Sequence, residues 1–163
     1  MITMLRLDDR LIHGQVAIRW SKVLGVNMIV VANDEVVKDK IGVGALKMAA
    51  PPGIKCSVLS IEDTIKNCTD ERAKGMSIMV ITNCFPDTLA IMKGAKDVIE
   101  RVNIGNHTIH DSTGEQALNQ YCYMSDADIA CAREMLTIGL KVDTQLRPEF
   151  PAPTLEEELN KLK

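Results

Sequence analysis

Short segments with almost no polar residues recur along this chain, and helix-length segments follow them. Residues 2–7, 27–32 and 76–81 are of the first kind. Because these runs do not alternate between apolar and polar residues, they predict strands that are buried on both faces. Buried strands that alternate with helices predict an α/β fold, here a single three-layer α/β/α domain with a mostly parallel sheet of six or seven strands.

The other elements follow from the same patterns and from the residues that begin and end helices. Further strands are predicted at residues 54–59, 98–104, 117–124 and 140–146. Helices are predicted at residues 15–24, 35–50, 60–67, 86–94, 125–138 and 155–162. Gly42 and Gly44 should weaken the second of these helices. With 163 residues the chain suits one domain, residues 1–163, with a short helical tail from about residue 154.

The composition indicates a soluble cytoplasmic protein that does not bind nucleic acid. The net charge is -3 and 3% of the residues are aromatic, so the chain offers neither a basic stripe nor a stacking platform. No apolar run reaches the ~18 residues that a membrane span needs. The five cysteines are widely spaced in mostly apolar surroundings, which predicts reduced thiols.

Residues 8–14 connect the first predicted strand to the first predicted helix and combine charge with one histidine. In an open α/β sheet such a connection lies at the carboxyl end of a strand, where ligands collect. A neutral imidazole is a good nucleophile toward phosphorus, so His13 is a candidate phosphoryl relay. Arg10 carries donors that fit the oxygens of a phosphoryl group. Asp8 or Asp9 is expected to orient Arg10 or the imidazole.

A structural interpretation of the same loop stays open. Arg10 would then form an ion pair with Asp8 or Asp9, and His13 would be a surface histidine at the start of a helix. Structural ion pairs are commoner in proteins than active sites, so the loop alone does not decide between the two interpretations.

Other polar side chains lie just after the carboxyl ends of predicted strands, as His13 does. In a parallel sheet they meet at one edge, where they either shape a phosphoryl pocket or cap helices. They are Asn33, Asp34, Thr82 and Asn83.

Cys84 is a candidate nucleophile at the end of a predicted strand. No base lies near it in the sequence, and a buried thiol is the alternative.

The long loop of residues 105–114 holds a second candidate site. His107, His110 and Asp111 form a weak zinc pattern, which gives a metal-dependent hydrolase as the alternative function. A solvated loop also explains these residues. A third function class is a non-catalytic module that binds nucleotides or sugar phosphates. The chain lacks the dinucleotide-binding fingerprint expected of it, because the glycine pattern at residues 42–44 lies inside a predicted helix rather than between the first strand and helix.

Residues 6–16 read Arg-Leu-Asp-Asp-Arg-Leu-Ile-His-Gly-Gln-Val. This run closely resembles the signature of the IIB component of the mannose, fructose and sorbose family of bacterial sugar phosphotransferase systems. Supporting blocks follow in the expected order over nearly the whole chain: Trp20 and residues 29–35, 49–53, 81–83 and 102–106. A motif of this length in a strand-to-helix context is far more specific than the short patterns above.

The resemblance implies a cytoplasmic phosphocarrier with a three-layer α/β/α fold, associated peripherally with the inner face of the membrane. A IIA protein would donate the phosphoryl group from a phosphohistidine, and the chain would pass it to a sugar imported through membrane components IIC and IID. In the family the matched histidine, here His13, carries the group on Nδ1, supported by Arg10 and Asp8. Backbone donors around Gly14 and Gln15 would hold the group, with no metal and no cofactor.

Residues 106–114 depart from the family pattern. An acidic residue stands here where a basic one is common, so the contacts of this loop do not follow from the resemblance. The sugar does not follow from it either, because the membrane components chiefly choose the sugar.

Overall fold

The computed structural model describes residues 1–108 and 115–162. The strands of its central sheet are β1 (Ile2–Leu7), β2 (Met28–Ala32), β3 (Lys55–Leu59), β4 (Ile78–Thr82), β5 (Val102–Ile104) and β8 (Val142–Asp143). They lie in the order β3-β2-β4-β1-β5-β8, and each neighbouring pair is parallel. The prediction of a mostly parallel sheet of six or seven strands is therefore confirmed.

Helices cover both faces of the sheet. They are α1 (Gly14–Leu24), α2 (Lys40–Ala49), α3 (Ile61–Thr69), α4 (Phe85–Ala95), α5 (Asp126–Thr137) and α6 (Leu155–Leu159). One apolar cluster joins the sheet to α1 and α2, and the other joins its opposite face to α3, α4, α5 and α6, which confirms the three layers. Within residues 1–108 and 115–162, no helix is long and apolar enough to cross a membrane.

An irregularity near the start of β1 decides which way its later side chains face. Ile2 packs in the cluster under α3 to α6, whereas Met4 packs in the cluster under α1 and α2. The pairing with β4 shifts register between these two residues. Regular alternation from Met4 onward then places Arg6 on the side of α1, where its guanidinium lies 5.8 Å from the centre of the Trp20 ring.

The predicted helix at residues 35–50 is interrupted. A 3₁₀ turn at Val36–Lys38 precedes α2, and Asp39 separates them in an extended conformation. The Asp39 side chain accepts a hydrogen bond from the backbone N–H of Ile41, so it caps α2. The break therefore lies at this cap, whereas Gly42 and Gly44 lie inside the helix.

The predicted strand at residues 117–124 is wrong. This segment is a hairpin of β6 (Gln116–Asn119) and β7 (Cys122–Met124), which are antiparallel and separate from the central sheet. The Asn119 side chain accepts a hydrogen bond from the N–H of Tyr121 and so stabilises the turn between them. Two other predicted strands are shorter than expected, since β5 and β8 begin at Val102 and Val142.

Candidate functional site

The loop that follows β1 lies between the loops that follow β4 and β5, because β4 and β5 flank β1 in the sheet. The N–H of Asp8 donates to the carbonyl of Thr82 at 2.9 Å, on the β4 side. The N–H of Asp9 donates to the carbonyl of Asn106 at 2.9 Å, on the β5 side. The predicted convergence at the carboxyl edge of the sheet is therefore present for the loops after β1 and β4, and the loop after β5, which was not part of that prediction, joins them.

The backbone of the loop turns His13 outward. The N–H of Leu11 donates to the carbonyl of Asp8, and Leu11 has a φ of 57°, which is unusual for a residue other than glycine. Ile12 is buried in the cluster under α1, while His13 and Gly14 on its carboxyl side are exposed. Gly14 begins α1 with a φ of 47°. The buried Ile12 thus anchors the loop beside an exposed histidine.

His13 is the N-cap residue of α1, but its side chain makes no capping hydrogen bond. Among the described residues the imidazole has no hydrogen-bond or ionic partner. The first turn of α1 contains no acidic residue, and Gln15 within it is exposed. Backbone N–H groups at the start of a helix favour an anion, so the surroundings of His13 suit a phosphoryl group.

Arg10 and Asp8 form a bidentate ion pair beside His13. Arg10 Nε donates to Asp8 Oδ1 and Arg10 Nη2 donates to Asp8 Oδ2, both at 3.0 Å. These bonds raise the pKa of Arg10 above its usual value. Asp8 is buried, whereas the Arg10 side chain is one-third exposed. The pair that the structural interpretation predicted is present, but within the described chain Arg10 Nη1 keeps no partner and remains available to a ligand.

A second arginine, Arg6, lies behind Asp8 and was not among the predicted site residues. Arg6 Nη2 donates to Asp8 Oδ2 at 3.1 Å, so this oxygen accepts from both arginines. The Arg6 side chain is 1% exposed. Burial lowers its pKa, and the Asp8 carboxylate opposes that shift. An arginine inside a strand that is otherwise almost wholly apolar was the sequence signal that could have found it.

Arg6 is held from several sides by groups that are distant in the sequence. Its Nη1 donates to Asn103 Oδ1, and its Nη2 also donates to the carbonyl of Leu146 at 3.3 Å. Asn103 Nδ2 in turn donates to Asp143 Oδ1 at 2.7 Å. Asp143 pairs with Arg101, whose Nε lies 2.5 Å from Asp143 Oδ2. A polar network therefore continues from the loop after β1 through β5 to β8.

Asp9 turns away from Arg10 toward the loop after β5. Its Oδ1 accepts from Asn106 Nδ2, and its Oδ2 accepts from the backbone N–H of Thr108, both at 2.6 Å. The two adjacent carboxylates thus have different functions in the fold, since Asp8 binds the arginines and Asp9 ties the two loops together.

The polar residues predicted at the neighbouring strand ends are mostly occupied elsewhere. Asn33 Oδ1 accepts from the backbone N–H groups of Glu35 and Val36. Asp34 Oδ1 accepts from the N–H of Ile61 at the start of α3. The Thr82 hydroxyl is buried and hydrogen-bonds with that of Thr88 in α4. The bonds of Asn33 and Asp34 fit the capping interpretation, whereas the bond of Thr82 ties β4 to the interior of α4. Asn83 is half-buried next to Thr82.

His107 is a buried structural residue. Its Nδ1 donates to the carbonyl of Tyr123 at 2.7 Å, and its ring packs edge-to-face on Phe85 with the ring centres 5.2 Å apart. His110 and Asp111, the other two residues of the predicted zinc pattern, lie outside the described residues. No group of three or more potential ligands among residues 1–108 and 115–162 is placed to hold a metal ion. The metal-dependent hydrolase therefore gains no support.

Cys84 is the N-cap residue of α4 and is half-buried. Burial raises the pKa of its thiol to about 11. The thiol therefore stays protonated at neutral pH, which favours the buried-thiol interpretation over a nucleophile.

Gly105 is packed against Arg6. A Cβ at this position would lie 2.4 Å from Arg6 Cζ and Nη2, and Arg6 cannot withdraw because Asp8 and Asn103 hold it. We expect Gly105→Ala to lower the free energy of unfolding by about 3 kcal/mol, measured by urea denaturation.

A matched variant separates this clash from the general effect of an added methyl group. Gly44 lies in α2, and a Cβ added there would meet no described atom within 4 Å beyond its chain neighbours and the backbone of its own helix, so Gly44→Ala should raise stability by about 1 kcal/mol. Equal stability of the wild type and Gly105→Ala would contradict the tight packing of Arg6.

Comparisons with known proteins identify the family of the chain. The family model for the PTS system sorbose subfamily IIB component matches residues 2–162. A probable phosphotransferase enzyme IIB component of Streptococcus pyogenes serotype M6 is 37% identical over 163 residues, covering 98% of this chain and 100% of the relative. The N-acetylgalactosamine-specific phosphotransferase enzyme IIB component 2 of Escherichia coli K12 is 32% identical, covering 94% and 96% of the two chains.

A solved structure shows the same architecture. The IIB domain of the sorbose permease from Klebsiella pneumoniae has a TM-score of 0.91 and 29% identity, and the match covers 100% of this chain and 98% of that one. The family in general works with IIA and with membrane IIC and IID components, and its members are phosphotransferases. The chain therefore belongs to the sorbose subfamily of IIB components and is a phosphocarrier of a sugar phosphotransferase system.

Proposed function

We propose that His13 is the residue of this phosphocarrier that accepts and donates the phosphoryl group. One observation carries the proposal: His13 is exposed, has no partner in the described structure, and follows Arg10, which has an unused Nη1, by three positions on the same loop. The exposed position suits a ring that must meet a donor protein and an acceptor in turn. Asp8 supports the transfer by fixing Arg10.

The chemical step exchanges one nitrogen–phosphorus bond for another. A ring nitrogen of neutral His13, Nδ1 by the family resemblance, attacks the phosphorus with its lone pair. The bond to the donor imidazole breaks, and its electron pair returns to the donor nitrogen. Arg10 Nη1 offsets the charge on the equatorial oxygens, and the backbone at Gly14 and Gln15 donates to them. In the second transfer a sugar hydroxyl oxygen attacks the phosphorus, the bond to His13 breaks with its electron pair returning to the ring nitrogen, and the freed imidazole takes up the hydroxyl proton.

The pocket around the phosphoryl group is proposed to be small. Asn83 lies at the same edge of the sheet and is a candidate for direct contact. Asn33, Asp34 and Thr82 instead shape the edge through their hydrogen bonds to other groups. Asp9 contributes by holding the neighbouring loop in place.

The proposed partners are a IIA phosphocarrier as donor and the membrane IIC and IID components, with their sugar, as acceptor. Their general use by the family supports this assignment. Contact with IIC and IID would hold the protein at the cytoplasmic face of the membrane. The relatives are named for different sugars, N-acetylgalactosamine and sorbose, which supports a choice of sugar made outside this chain.

The test is to locate the phosphoryl group in the wild-type protein. The protein is incubated with phosphoenolpyruvate, the two general phosphotransferase proteins and the cognate IIA, then digested with trypsin at neutral pH. Trypsin releases His13 in the peptide of residues 11–19, whereas His107 and His110 share the peptide of residues 102–133. We expect one acid-labile phosphoryl group per chain, in the first peptide. A phosphoryl group in the second peptide would refute the assignment.

A further inference from the structure

Two aspartate–arginine pairs among the described residues have the same local geometry, but they differ in burial and in the number of arginines that bond the carboxylate. In both Asp8–Arg10 and Asp70–Arg72, the backbone N–H and Nε of the arginine donate to Oδ1 of the aspartate, and Nη2 donates to Oδ2. Arg72 pairs with Asp70 alone. Asp8 Oδ2 also accepts from Arg6, so, within the part of the chain that the structure describes, two guanidinium groups share the carboxylate at the loop of His13 but not at Asp70.

The sharing changes the charge that a phosphoryl group meets. An isolated aspartate–arginine pair is formally neutral, whereas Arg6, Asp8 and Arg10 together carry a formal charge of about +1. The charges behind them do not cancel this excess, because Asp143 is paired with Arg101. Asp9, the other nearby carboxylate, is bonded to neutral donors of the loop after β5 and forms no ion pair with Arg10, although its charge still acts on Arg10 from a distance. Arg6 is fully buried, so solvent screens its charge only weakly.

We infer that Arg6 is a positioning residue for phosphoryl transfer, which offsets the charge of Asp8 so that Arg10 acts on the phosphoryl group with more of its positive charge. Arg6 itself does not touch the group, since its guanidinium is enclosed by Asp8, Asn103, Leu146 and Trp20. Asp8 can therefore hold Arg10 in place without cancelling all of its charge. This inference rests on the proposed function of His13.

Transfer from phosphorylated IIA should be measured in rapid-mixing experiments with three variants of Arg6. Arg6→Gln removes the charge, and we expect the maximal transfer rate to fall about ten- to a hundred-fold with little change in the concentration of IIA needed for half the maximal rate. Arg6→Lys keeps the charge but not the separate bonds of the guanidinium to Asp8 and Asn103, so we expect it to transfer more slowly than wild type but at least about threefold faster than Arg6→Gln.

The double variant Arg6→Gln/Asp8→Asn removes both charges and restores the formal charge of the site. It should transfer phosphoryl groups at least about threefold faster than Arg6→Gln alone. In a double-mutant cycle this recovery reveals the interaction between Arg6 and Asp8. A purely packing role for Arg6 predicts the opposite order, because the double variant would carry two defects in one buried network.

Ile91→Val is the control for stability. It removes one methylene group from the apolar cluster on the opposite face of the sheet and contacts neither Arg6 nor the loop of His13, so it should destabilise the fold by about 1 kcal/mol with a nearly unchanged transfer rate. Equal losses of rate in Arg6→Lys and Arg6→Gln, or no recovery in the double variant, would overturn the inference. If Arg6→Gln does not fold, slow transfer by both Arg6→Lys and the double variant would overturn it. Labelling of His13 in every variant, at whatever rate, keeps this outcome separate from a failure of the proposed function.

Discussion

His13→Gln is expected to take up no acid-labile phosphoryl group from IIA, because it removes the only exposed imidazole of the loop after β1. The fold should be unaffected. The His13 side chain makes no capping bond to α1, so its loss should change the free energy of unfolding by less than about 0.5 kcal/mol. Uptake is measured with labelled phosphoenolpyruvate, and folding by circular dichroism.

The chain has three histidines, so the controls are complete. His110→Gln should be labelled like wild type. His107→Gln should be less stable, because it loses the ring contact with Phe85 and alters the bond to Tyr123, but the folded fraction should still be labelled. Labelling of His13→Gln at the wild-type level would show that another residue carries the phosphoryl group.

Arg10→Met is expected to slow transfer about 10³-fold, the scale on which an arginine that stabilises phosphoryl charge acts. Stability should fall by only about 1–2 kcal/mol, because Asp8 keeps its bond to Arg6 when Arg10 is lost. Transfer is measured under single-turnover conditions with phosphorylated IIA, and stability by urea denaturation.

Arg72→Met is the matched control. It breaks an aspartate–arginine pair of the same geometry before the start of β4, at the opposite end of the sheet from His13. It should leave the transfer rate unchanged. If Arg10→Met unfolded the protein, or slowed transfer no more than Arg72→Met, Arg10 would be only a structural ion pair.

The sequence predicted the parts of the fold that depend on local patterns. Strands such as β2 and β4 are buried on both faces, so continuous apolar runs identified them. The hairpin of β6 and β7 was missed because its turn at Gln120 and Tyr121 contains neither glycine nor proline. The interruption before α2 was missed because Asp39 caps this helix from within a segment of helical spacing.

The residues of the candidate site could be named from the sequence only within the loop after β1. His13, Arg10 and Asp8 are neighbours in the sequence, and the ion pair between the last two was foreseen as an alternative. Arg6 was not, because what makes it part of the site is its contact with Asn103, a residue 97 positions away. Tertiary hydrogen bonds of this kind leave no periodic pattern in a single sequence.

The bonds of Asp9 have a consequence for exchanging parts between related IIB proteins. Asp9 belongs to the loop after β1, but its acceptor oxygens are filled by Asn106 and Thr108 from the loop after β5. A chimaera that received only residues 8–13 from a relative would separate the carboxylate from its donors. The two loops must therefore be exchanged together. Grafting the surface around His13 onto another scaffold requires residues 105–108 to be transferred with it.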